Sequence, residues 1–145
     1  MKTTIKLLAV LIALFMTVSC SNSGSNDITP AGTSENLNQG LWTVTYFEER
    51  GENETSKFSG YQLSFDSGGV FRLINSTSNF TGSWSVNNNS DDSSNSSQKL
   101  VIYISGNNVA DQLQDDWIIV SQTENSIYLQ DDSSNHTETL KLEKN

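Results

Sequence analysis

Along residues 40 to 145 large apolar side chains recur at every second position, the period of strands with one face buried. Trp42, Val44 and Tyr46 alternate with Thr43 and Thr45, and Tyr61, Leu63 and Phe65 alternate with Gln62 and Ser64. Asp66-Ser67-Gly68-Gly69 then supplies a tight turn, because glycine takes positive φ without a Cβ clash, and Phe71 and Leu73 continue beyond it. Phe80, Gly82, Trp84 and Val86 share a face of a fourth strand, and Leu100, Ile102 and Ile104 a face of a fifth. Ile118 to Ser121, Ser126 to Gln130 and Glu138 to Glu143 complete the set. The pattern predicts an all-β fold of about eight short antiparallel strands. Joined by hairpins, they can close into an up-and-down barrel, which removes exposed edges. A β-sandwich is the alternative.

Three stretches break the alternation. "NNNSDDSSNSSQ", residues 87 to 98, is low in complexity and predicts a long solvated hairpin loop that packs nothing. "NNVADQLQDDW", between strands five and six, suits a short helix or turn over a barrel end. Asn107 or Asn108 would be its N-cap, and its simplest role is a plug that buries Leu113. From Ser21 to about Gln39 the chain holds almost no large apolar side chain and predicts a flexible tether.

The first twenty residues read differently again. Lys2 and Lys6 precede an apolar run from Leu7 to Val18, broken only by Thr17, and small Ser19 stands before Cys20, the chain's one cysteine. This is the layout of a secretory signal over residues 1 to 19, and its run is short of the roughly twenty residues that cross a bilayer. Met16-Thr17-Val18-Ser19-Cys20 resembles the bacterial lipobox, which implies a diacylglycerol on the cysteine thiol, cleavage before it, and further acylation by a palmitate-type chain. Thr17 stands where that motif usually has leucine. More than one acyl chain suffices for stable anchoring. Ser21, rather than aspartate, follows the cysteine, and by the same resemblance this favours the outer membrane, on its periplasmic face or at the cell surface.

Charge narrows the partners. The chain has 8 Lys plus Arg against 17 Asp plus Glu; without Lys2 and Lys6 the balance is 6 against 17, or −11. Such a field repels nucleic acid and anionic headgroups, so DNA and RNA are not expected partners. His136, the sole histidine, falls in a turn, and no nucleophile motif, metal motif or second cysteine accompanies it. Asp91-Asp92, Asp115-Asp116 and Asp131-Asp132 lack the spacing of a calcium loop. Neither an enzyme nor a resident metal or cofactor is expected.

Gly40-Leu41-Trp42 matches the G-x-W signature of lipocalins. Together with Gly82-Ser83-Trp84, Leu113 to Trp117 and the terminal "TETLKLEKN", it makes residues 40 to 145 resemble the small lipocalin-like lipoproteins of Bacteroidetes. That resemblance implies an eight-stranded barrel in which Gly40 and Trp42 are structural and Trp42 closes one end. In lipocalins an arginine from the last strand packs across this tryptophan; here the last strand offers Lys141 and Lys144. The resemblance also implies a small apolar ligand held in the cell envelope. Aromatic residues with polar handles commonly line such pockets, and Tyr46, Tyr61, Phe71 and Trp84 would be the walls. The density of aromatic residues argues instead for a filled barrel. The second expectation is therefore a structural or interaction module that meets an envelope protein, with an apolar patch near Leu41, Phe47, Val101 or Tyr103.

Overall fold

The computed structural model describes residues 30–88, 97–133 and 137–145. The leader, Cys20, the stretch up to residue 29, Asp91-Asp92 and His136 lie outside the described residues. The strands are β1 (Trp42–Glu49), β2 (Glu52–Asn53), β3 (Gln62–Asp66), β4 (Val70–Ile74), β5 (Asn79–Asn88), β6 (Gln98–Tyr103), β7 (Asp115–Gln122), β8 (Ser126–Asp131) and β9 (Glu138–Lys144). Neighbours pair antiparallel in chain order from β3 to β9, and β9 returns to β1, closing an eight-stranded up-and-down barrel. The two-residue β2 is a short ribbon on β1. The barrel, not the sandwich, is the solution this sequence adopts.

Closure is uneven. β1 runs along β9 from Trp42↔Lys144 to Glu49↔Glu138 but meets β3 only at Trp42↔Leu63. Beyond that point β1 leans on the segment that follows it: Glu54 donates its backbone N–H to Phe47 O at 2.9 Å, and Phe47 donates to Thr55 Oγ1 at 2.9 Å. A 3-10 turn, Thr55–Phe58, then buries Phe58 edge-on against Phe47 with ring centroids 5.1 Å apart. Nothing in the two-residue alternation of the sequence marks this turn.

A β-bulge corrects the alternation of β1. Val44 faces Leu142 and Tyr46 faces Lys141, so Thr45 is one residue too many for β9. The parity of the strand flips there. Phe47 enters the core in place of Tyr46, whose hydroxyl instead meets the Glu48 carboxylate.

Three boundaries also move. The expected tether ends at Pro30, because α1 (Pro30–Leu37) packs on the barrel with Leu37 and Thr33 fully buried. One well-placed leucine and a threonine, in a stretch otherwise polar, account for this. Gln98, expected in the solvated loop, is a buried β6 residue that accepts a hydrogen bond from Thr33 Oγ1 at 2.7 Å. β7 begins at Asp115 and so includes Trp117, which is buried with its indole N–H donated to Leu113 O at 3.1 Å. α2 (Asn108–Asp111) fulfils the plug expectation: Leu113 just beyond it is fully buried. Its N-cap is Asn107, whose Oδ1 accepts from Val109 N at 3.1 Å and Ala110 N at 2.9 Å. Asn107→Ala should cost about 1 kcal/mol in chemical unfolding, because two helix donors lose their acceptor.

Candidate functional sites at the two barrel ends

The interior decides what a ligand could reach. Phe71, Leu63, Leu73, Leu100, Ile127 and Leu129 are 0% exposed. A side chain with no accessible surface has no water-sized void beside it, so the centre of the barrel is packed by the walls themselves. Phe65 lies 5.0 Å from Phe71 and 5.4 Å from Trp84 between ring centroids. Such a centre is filled in the way small eight-stranded barrels can be.

Of the four residues expected to line a ligand pocket, the structure brings together only two. Phe71 and Trp84 join the packed centre. Tyr46 is turned outward by the bulge, and the Glu48 hydrogen bond pushes its hydroxyl pKa up. Tyr61 is partly buried at the other end, where Asn107 Nδ2 donates to its hydroxyl at 3.5 Å. Phe47, expected on an exposed patch, is core, whereas Leu41 and Tyr103 are exposed as expected and Val101 is half-buried.

At the α1 end, Trp42 is fully buried and donates its indole N–H to Leu37 O at 3.1 Å. Lys144 Nζ stands 5.0 Å from the ring centroid and donates to Asn36 Oδ1 at 2.8 Å. A last-strand lysine thus stands as a point charge over the aromatic face of Trp42. Gly40 connects α1 to β1 at φ +90°, and a Cβ there would meet the Lys144 stem at 3.4 Å. Beside this cap a recess of about 310 Å³ opens between Ser34 of α1, Asn38 just beyond it, Gly68 and Gly69 of the β3–β4 turn, and Trp84. Trp84 is nearly covered, with its indole N–H donated to Asp66 O at 3.1 Å.

The opposite end is acidic. A recess of about 250 Å³ is lined by Glu49, Asp111, Gln112, Gln114, Asp115 and Glu138. Gln112 Nε2 donates to the carboxylates of Glu49, at 3.0 Å, and Glu54, while its Oε1 is buried without a partner. Lys57 and Gln112 hold the Glu54 carboxyl below its ordinary pKa. Burial, then the charges of Glu49, Asp115 and Asp131, push Glu138 up to about 7. Asp115 rises as well, mainly through burial. Among the described residues no group of three or more His, Cys, Asp or Glu is arranged to hold a metal ion. Asp132 is engaged by Lys99.

In the sequence Asp115 and Asp131 stand out only as members of adjacent pairs, and nothing there links them to Glu49, Asp111 or Glu138. Glu49, Asp115, Asp131 and Glu138 each stand at the tip of a strand, and only the register of β1, β7, β8 and β9 puts those tips together. Comparison with protein families, curated proteins and solved structures gives no match to this chain.

Proposed function

We propose that the chain is a non-enzymatic, lipocalin-like lipoprotein of the bacterial outer membrane, held through acyl chains on Cys20, whose barrel serves as a protein-interaction module rather than a ligand carrier. The observation that carries this reading is the full burial of Phe71, Leu63 and their neighbours, which leaves no room at the centre for an apolar guest. The order of basic, apolar and small residues before Cys20 supports the anchor. On the outer wall, Tyr103 is 66% exposed and stands two residues from Val101 on β6, a surface on which an envelope protein can rest.

Cys20→Ala should move the protein from the membrane fraction to the soluble one and leave the leader uncut. Retention in the membrane would overturn the anchor. Native mass spectrometry of the protein purified gently from its own envelope should give the mass of the chain and its acyl groups alone. A stoichiometric small molecule would overturn the filled-module reading and restore the carrier.

A further inference from the structure

The acidic end coincides with the weakest stretch of the barrel wall. Glu49 and Glu138 are direct cross-strand partners at the last pair of the β1–β9 seam, and like charges so placed repel. Asp115 at the start of β7 and Asp131 at the end of β8 face the same group, while Asp111 and Gln112 approach from the α2 segment. Glu54 approaches from the turn after β2 with Lys57 bound to it, and Glu52 of β2 is exposed. Among the described residues Arg50 is the cation that acts on Glu138, and its own side chain is 65% exposed and 4.0 Å from Glu49. β1 has no barrel neighbour here except β9, since its single pair with β3 lies at the other end. Phe47 to Glu49 are otherwise held by the β2 ribbon and the turn behind it, which can move with them, by the Gln112 hydrogen bond to Glu49 at 3.0 Å, and by the burial of Phe47 in the core.

We propose that this end of the barrel is a proton-operated latch: with Glu138 protonated the β1–β9 seam is closed to its last pair, and with Glu138 ionised that end parts and carries β1, β2 and the 3-10 turn away from β9. The proposal does not depend on the membrane reading. Burial and the surrounding carboxylates raise the Glu138 pKa from 4.5 to about 7, which places the transition near neutrality. The closed state holds the proton more tightly than an open or unfolded chain. Its stability is therefore complete below about pH 4.5, falls as pH rises through the interval to about 7, and levels off above it.

Native-state hydrogen exchange of the purified chain, corrected for intrinsic rates, tests this. The amides of Phe47 to Glu49 and Thr139 to Leu140 should exchange through an opening insensitive to low urea, and that opening should grow about thirtyfold between pH 5.5 and 8. β4 and β5 should exchange only through the urea-dependent global route. Glu138→Gln, which keeps the shape and removes the charge, should hold the seam closed at both pH values, and Glu49→Gln should reduce the pH response. Seam amides that follow urea as β4 and β5 do, or a pH response that survives in Glu138→Gln, would overturn the latch.

Discussion

Trp42→Ala should lower the stability of the barrel by about 3 to 5 kcal/mol in urea unfolding, the usual range for deleting a fully buried tryptophan. Three losses coincide at that position. The ring leaves a void at the closed end, the Leu37 carbonyl loses the indole donor that ties α1 down, and Lys144 loses the aromatic face beneath it. Trp42 also forms the only pair between β1 and β3, so slack here loosens both edges of the first strand. Trp42→Phe separates the contributions: it retains most of the bulk and leaves the carbonyl unpaired, which should cost about 1 to 2 kcal/mol. A loss below about 1 kcal/mol for the alanine variant would mean that the ring does not close the barrel.

The second large effect comes from the smallest side chain in the wall. Gly82→Ala should destabilise by about 3 kcal/mol, at the upper end of what overpacking costs, because the obstacle is main chain. An alanine Cβ at that position would stand 2.0 Å from the Tyr103 carbonyl oxygen and 2.9 Å from Ile104 Cβ. The end of β6 comes close to β5 there, and a strand glycine commonly marks such an approach. Ser83→Ala, on the exposed face next door, should stay within about 0.5 kcal/mol. Equal effects at both positions, read from the same unfolding curves, would show that β6 moves aside freely.

Much of this wall was legible in the sequence. Leu63, Phe65, Phe71, Leu73, Leu100 and Ile102 alternate cleanly, and all are buried, because regular pairing along a neighbouring strand leaves no freedom to change face. The errors fall where pairing is irregular. The bulge at Thr45 exchanges Phe47 for Tyr46, and nothing local in "WTVTYFEE" announces an extra residue that exists only relative to β9. α1 escaped notice because its apolar contribution is a single leucine, and its hold on the barrel is polar: Thr33 to Gln98, Asn36 to Thr123, Lys144 to Asn36. The acidic recess was invisible for a related reason. Glu49, Asp115 and Glu138 lie far apart in sequence, and register alone makes them neighbours.

The pairing of β1 with β9 also sets when this protein can fold. The first and last strands of the wall meet across the whole domain; Thr43, for example, bonds to Asn145, 102 residues away. Bringing such distant segments together costs loop-closure entropy before the contact returns anything, and domains built on such contacts fold in milliseconds to seconds rather than microseconds. During synthesis the hairpins from β3 to β8 can assemble as the chain emerges, yet the wall stays open, with two raw edges, until Lys144 has been made. A chain cut short before β9 would keep those edges, and its fate would be association with other chains rather than a smaller barrel.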